Sequence, residues 1–381
     1  MNLEKENHLK SDYAKLVSRT TLAISLLLAA ALLAGCGGSQ EEQGSQGEQG
    51  SQEENATAQV VAATEAFLGT LDDAQREQAT FDFDDAEAKA NWSNFPVQVV
   101  PRNGVALRDM TEEQQQAALE ILQAALSEEG YQKTIGNMVG DQANLNQTGE
   151  SEDLFGAGLY YFAVFGTPSE TEPWMLQYGG HHYAINLTIS GEDNVFTPSF
   201  TGVQPSEYKL EEAADLPAFV PTDVLQAGPD GTIRPMADEN DLAFDLINAL
   251  DAEQQEQAIL SYEVSNLVLG PGEDGRVLEP EGLPASEMTT DQQALLLDLV
   301  RQWVGIANDE TAQARMSEIQ DDLNETYFAW SGPTTNGESA YYRVTGPTLH
   351  IEFAPQDDGG PLHIHSVYRD PTREYGEQSV A

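Results

Sequence analysis

The sequence predicts an α+β fold: two similar helix-helix-β-hairpin units, related by an internal repeat and packed into one compact body. Three observations predict it. Two helix-start signatures recur in order, Phe67–Gln75 as Leu246–Gln254 and Met110–Gln114 as Met288–Gln292. Two aromatic strands ending in Gly/Pro turns recur after them, Leu159–Phe165 as Glu325–Ser331. The offsets of 179, 178 and 166 keep the same order with one change of spacing. A repeat at fixed spacing reports a shared structural plan better than any single segment does.

Before the first unit stands an export signal. Lys10, Lys15 and Arg19 precede an apolar run, Thr21–Leu33, too short for a comfortable membrane span. The run ends in Leu33-Ala34-Gly35-Cys36, which resembles the lipobox of bacterial lipoproteins. That resemblance implies a signal peptide over 1–35, acylation at Cys36, and a protein lipid-anchored in the cell envelope. Gly37 after the cysteine favours the outer membrane, facing the periplasm, or the cell surface. Cys36 is the only cysteine, so disulfides and thiolate chemistry are excluded from the mature chain. The rest of 36–56 is dominated by Gly, Ser, Gln and Glu, which reads as a flexible tether.

The formal net charge is −47. Without the signal's Lys5, Lys10, Lys15, Arg19, Glu4, Glu6 and Asp12, the 17 basic and 64 acidic residues become 13 and 61. Such a field repels nucleic acid and anionic surfaces and concentrates cations. Its acids are spread over the whole chain, as a solubilising charge would be.

The first unit is expected over 57–206 and the second over 240–376, with a Pro- and acid-rich connector at 207–239 and a tail at 377–381. Asp72 with Gln75, and Asp251 with Gln254, fit capping boxes; so do Thr111 with Gln114 and Thr289 with Gln292. The first of the following helices carries Ile121, Leu122, Ala125 and Leu126 on one face. The second, Ala294–Val304, is Leu-rich nearly all round and reads as the more buried. Hairpin strands are expected around Trp174–Tyr178 and Ala340–Val344. Asn186 and Glu352 then fall at equivalent places. Tyr160, Tyr161, Phe162, Phe165, Trp174, Trp330, Tyr341 and Tyr342 read as sheet core.

The five histidines of the mature chain, His181, His182, His350, His363 and His365, all lie in this strand material. In His363–Asp370, period-two alternation places His363, His365 and Arg369 on one face and Ile364 and Tyr368 on the other. Two imidazoles so spaced can chelate one metal ion, bind an anion, or sit solvated on an edge. A metal needs further ligands. Glu352 is one source, and His181 or His182 from the other unit is another. Asn186, Arg369, Asp370 and Arg343 are candidates to orient them. Glu352 has a competing reading, an ion pair with Arg343 or Arg369.

Asn91-Trp92, Phe162–Pro168, Gly180-His181-His182, Tyr342–Thr348 and His363–Asp370 together resemble the secreted bacterial family called domain of unknown function 3500. Phe328–Thr335 and Ile351–Gln356 resemble one of its branches. The resemblance spans about Thr57 to Gly376 and brings no agreed catalytic residues. Ala354-Pro355-Gln356-Asp357 departs from the Asp-Asn-Thr-Gln turn frequent in that family.

No Gly-x-Ser-x-Gly elbow, His-Glu-x-x-His helix or phosphate-cradling Gly-x-x-x-x-Gly-Lys loop occurs. The functional expectation is therefore an envelope lipoprotein that binds a divalent transition metal or small polar ligand between its halves. The alternatives are a metal-dependent hydrolase or oxidoreductase, using an open His/carboxylate site, and a structural lipoprotein. Replacing Cys36 by Ser is expected to move the protein from the membrane fraction to the soluble one; unchanged fractionation would contradict the anchor.

Overall fold

Residues 55–191, 193–356 and 360–377 are described by a computed structural model. The expected signal peptide, Cys36, most of the tether, the 357–359 loop and the end of the tail lie outside them. The described residues belong to one unit by their contacts.

Asn55 starts the first helix, α1 (Ala56–Thr70), by accepting the Ala58 amide at 2.8 Å. The Asp72–Gln75 box opens α2 (Asp73–Ala79), and the short α3 (Ala86–Lys89) follows. Thr111 and Gln114 box α4 (Glu112–Ala125), and Ser127 caps α5 (Glu128–Thr148). The strands of this half are β1 (Thr80–Phe81), β2 (Val105–Ala106), β3 (Tyr161–Phe165), β4 (Trp174–Gly179), β5 (Tyr183–Ile189) and β6 (Ser199–Val203). A small ribbon, β7 (Tyr208–Lys209) with β8 (Thr232–Ile233), lies in the connector.

Beyond it come α6 (Ala237–Ala249), α7 (Ala252–Ala258), α8 (Thr290–Val304) and α9 (Asp309–Asp321). Their caps include the expected Asp251–Gln254 and Thr289–Gln292 boxes. In each half the two boxes touch: Gln75 bonds Gln114 at 2.7 Å, and Gln254 bonds Gln292 at 2.8 Å. The later strands are β9 (Leu283–Pro284), β10 (Tyr327–Ser331), β11 (Tyr341–Thr345), β12 (His350–Gln356) and β13 (Gly360–Arg369).

The result is an α+β fold with nine α-helices among the described residues and one large mixed sheet. Its eleven strands run β1-β3-β4-β5-β6-β13-β12-β11-β10-β9, with β2 also on β3. Only β1 with β3 is parallel among these pairings; the others are antiparallel.

Alternation sorts the strand residues between two faces. Phe162, Val164, Leu176, Tyr178, Ile185 and Leu187 pack into a core with α1, α4 and α5. Phe328, Trp330, Tyr342, Ile351 and Tyr368 pack into a second core with α6, α8 and α9. Ala163, Phe165, Met175, Phe200 and Val367 face the other way, against Trp92 and Tyr375. Both faces are covered, which explains why these strands read as continuous apolar runs. Helix α8 departs from expectation: Leu295 and Leu297 are only half-buried, packed at the edge of the second core rather than inside it. Among the described residues, no helix is long and apolar enough to cross a membrane.

Two glycines permit the close approach of β2 and β9 to the sheet. Gly104 has φ +89°, and a Cβ there would stand 2.0 Å from the Phe162 carbonyl oxygen. Gly282 has φ +97°, with the Phe328 carbonyl oxygen 2.2 Å from the same position. Neither the left-handed backbone nor the collision with main chain can relax through a side-chain shift. Gly104→Ala and Gly282→Ala are each expected to cost about 2 kcal/mol or more of stability, read as a lowered urea midpoint with an unchanged slope.

Candidate metal centre

Strand β13 turns His363 and His365 away from the helices. Ile364 and Tyr368 enter the helix-side core, and Ser366 accepts the Trp303 indole N–H of α8 at 3.0 Å. The opposite face carries the His363 and His365 rings, whose Nε2 atoms lie 3.0 Å apart. The β4–β5 turn, Gly180-His181-His182, stands beside them because β6 pairs with both β5 and β13. The Gly202 amide bonds the His182 carbonyl at 2.7 Å and fixes the turn against β6.

From that turn, His182 Nε2 reaches to 3.1 Å from His363 Nε2. The ligand atoms of His182, His363 and His365 all lie within 4.8 Å of one another, and all three residues are buried. A tetrahedral ion with bonds of about 2.0–2.1 Å needs ligand nitrogens about 3.3 Å apart. The two short separations, 3.0 and 3.1 Å, are close to that value.

Helix α5 orients the centre. Asp141 Oδ1 lies 2.6 Å from His182 Nδ1, and its Oδ2 accepts the Tyr160 hydroxyl at 2.8 Å. The carboxylate accepts the Nδ1 proton, so the His182 lone pair is on Nε2. On the far side, the Asn94 amide lies 3.2 Å from His365 Nδ1. As placed, the Asn94 NH2 donates to His365 Nδ1; a ligating lone pair on His365 Nε2 requires the amide to rotate so that its oxygen accepts Nδ1–H.

With the His182 Nε2 carrying only a lone pair, a single His363 Nε2–H is the one donor for two acceptors. Moving the proton to His365 leaves two lone pairs facing each other between His182 and His363. No set of neutral tautomers gives both short contacts a well-directed hydrogen bond, whereas one cation satisfies all three nitrogens.

His181 lies beside this group rather than in it. Its ring makes tilted contacts with Phe155, at 4.7 Å between centroids, and with His182, at 3.8 Å. Its Nδ1 is buried without a hydrogen-bond partner, 3.9 Å from Asp141 Oδ1. Burial, and then the neighbouring imidazoles, pushes the His181 pKa well below the ordinary value; the same causes, in the same order, do so for His365.

The structure does not bring Glu352 to these histidines. Register places Glu352 opposite Val367, and Ala354 opposite His365. Glu352 shares the face but is displaced by two positions along the strand. Its oxygens accept the Val268 and Leu269 amides at 2.7 Å each, the Tyr341 hydroxyl at 2.8 Å, and lie 2.9 Å from His350 Nε2. Burial alone would raise this carboxyl; those hydrogen bonds outweigh it and hold the pKa below the ordinary value. Nor does Glu352 form the competing arginine pair. Arg343 reaches Glu281, and Arg369 holds Asp274, Glu374 and the Leu269 and Gly270 carbonyls.

The other proposed orienting groups are also engaged elsewhere. Asp370 binds Arg315 and Arg373. Asn186 donates to the Pro198 carbonyl and accepts from Gln177. The residues that do support the centre are Asp141, Asn94 and Arg102, which sequence reasoning missed. Arg102 pins the His turn by donating to the Gly180 carbonyl at 2.9 Å. A signal for Asp141 was present: it continues the Thr134, Met138, Leu145 stripe of α5, where an acid on an apolar face needs a partner.

Fold and site define an α+β protein with a buried three-histidine centre at the junction of two strand sets. Residues 53–377 match the family described as "Protein of unknown function (DUF3500)", and the chain belongs to it. Among curated proteins and among solved structures, nothing matches the chain.

Because His181 and His365 stay neutral when folded, the unfolded chain binds more protons below about pH 6.5. Stability is therefore full above that pH and lost as pH falls toward the lower folded values. The expected loss in metal-free protein is up to about 1.4 kcal/mol per pH unit for each imidazole. Urea midpoints at pH 7 and pH 5.5 check it, and His365→Gln should flatten the slope.

Proposed function

We propose that this protein is an envelope lipoprotein whose folded part binds one divalent transition metal through His182, His363 and His365. The observation that carries the reading is the convergence of three buried histidines, with His363 Nε2 lying 3.1 Å from His182 Nε2 and 3.0 Å from His365 Nε2, spacings that one cation would bridge. Asp141 fixes the His182 tautomer in the carboxylate–histidine–metal manner, which raises ligand basicity. An all-imidazole set suits zinc or copper better than magnesium or calcium, which prefer oxygen.

Two parts of the reading concern the whole chain. The lipobox and tether support a lipid anchor in the envelope. The shared element order, the paired capping boxes and the matched sheet halves on either side of β6 and β13 support an internal repeat of 57–206 and 240–376. In that repeat the histidines are complementary, two at the first unit's turn and two on the second unit's last strand.

A metal-dependent hydrolase or oxidoreductase is the second reading. It is favoured by the ligand count, since three protein ligands leave a fourth position for water or substrate.

Elemental analysis of the purified mature protein is expected to show one zinc or copper ion per chain. His363→Ala with His365→Ala should abolish it while the far-ultraviolet circular dichroism is retained. Asp141→Asn should weaken binding about 10- to 100-fold. Metal content unchanged in the double variant would overturn the assignment.

A further inference from the structure

The three-histidine centre is buried, so an ion must reach it by some route. A cavity of about 440 Å³ opens between α5 and the 149–159 segment, with Glu150, Glu152 and Asp215 among its lining residues. Phe155 lines it too, and its ring centroid lies 4.7 Å from that of His181 at a tilt of 39°. Gln142, the chain neighbour of Asp141, also faces the cavity.

Next to the cavity-lining Phe155 and Gln142 are two groups with the right chemistry, His181 and Asp141. His181 Nδ1 is buried and without a partner, and Asp141 Oδ1 lies 3.9 Å from it. An ion bonded to both at about 2.0–2.1 Å requires ligand atoms no more than about 4.1 Å apart. With His182 these residues form a second group able to hold a metal, and it shares His182 with the first.

Resting on the metal reading above, we propose that His181 and Asp141 form a second, transient cation position. Through it a divalent transition metal passes from the acidic cavity to the three-histidine centre. The ion binds His181 Nδ1 and Asp141 Oδ1 first. The Nε2 atoms of His182, His363 and His365 then displace them, and Asp141 returns to the His182 Nδ1 proton. As the ion binds, the imidazole proton held on Nε2 in the metal-free cluster moves to Nδ1 of the same ring; otherwise only metal–ligand bonds are exchanged, and no electron is gained or lost. Three acids against the single Arg108 give the cavity lining a negative balance that raises the local cation concentration, and Phe155 is the cavity residue in ring contact with His181.

Stopped-flow loading of metal-free mature protein with cobalt(II), followed by its visible absorption, tests the proposal. His181→Phe keeps an aromatic ring at the position and removes the ligand. Association is expected to slow about tenfold, with stoichiometry and final spectrum unchanged because all three Nε2 ligands remain. Phe155→Ala should speed both association and release. An unchanged association rate in His181→Phe would overturn the loading position, as would an altered final spectrum, which would make His181 a permanent ligand. If His181→Phe fails to fold by circular dichroism, His181→Gln is measured against the same outcomes. Wild-type protein that takes up no cobalt would instead sink the three-histidine reading itself.

Discussion

The pairing of β6 with β13 is the constraint on which the rest of the molecule depends. Five residue pairs, from Ile364↔Val203 to Tyr368↔Ser199, join two strand sets that each carry their own helical core. The same pairing sets Gly202 opposite His365, where a Cβ would stand 3.2 Å from the His365 ring and 2.8 Å from the Ile364 carbonyl oxygen. A slip of one residue would turn His363 and His365 into the helix-side core and Ile364 out of it. Burial on both faces makes that slip costly, so the register that completes the apolar core also fixes where the imidazoles lie.

The polar centre is possible because a turn at the strand ends can reach both faces. Asp141 belongs to a helix on one face of the sheet, and His363 and His365 project from the other. His182, at the turn, touches both sides, with Nδ1 toward the helix and Nε2 toward the strand. A histidine inside a strand would serve one face only. Gly180 helps, since its neighbour Tyr160 leaves no room for a side chain there: a Cβ would stand 2.9 Å from the ring. Tyr160 in turn donates to Asp141, so the aromatic that shapes the turn also holds the carboxylate.

What could be read from the sequence is what local chemistry decides. The capping boxes follow from residues three apart, the faces of β13 from period two, and the β12–β13 hairpin from adjacent strands. The misplacement of Glu352 shows where local reading stops. Its face was legible, but its neighbours were set by the β12–β13 register and by the 264–269 segment, whose Val268 and Leu269 amides claim the carboxylate. Nothing in the spacing of that segment announces this. Asp141 and Asn94 were hidden for the same reason: they lie 41 and 271 residues from the histidines they touch.

This division of carboxylates from imidazoles shapes any account of selectivity. Acids cover the chain, and oxygen donors attract every cation, sodium, magnesium and calcium included. A buried set of neutral nitrogens does not hold those ions well, whereas it suits zinc or copper. Glu352, the carboxylate nearest along the sheet face, is tied by four hydrogen-bond contacts and is not free to add an oxygen to the centre. Asp141 acts through His182 instead, contributing negative charge without lying among the three converging nitrogens. Spread acids would draw cations of every kind, and a buried set of imidazole nitrogens is where a preference for zinc or copper would arise.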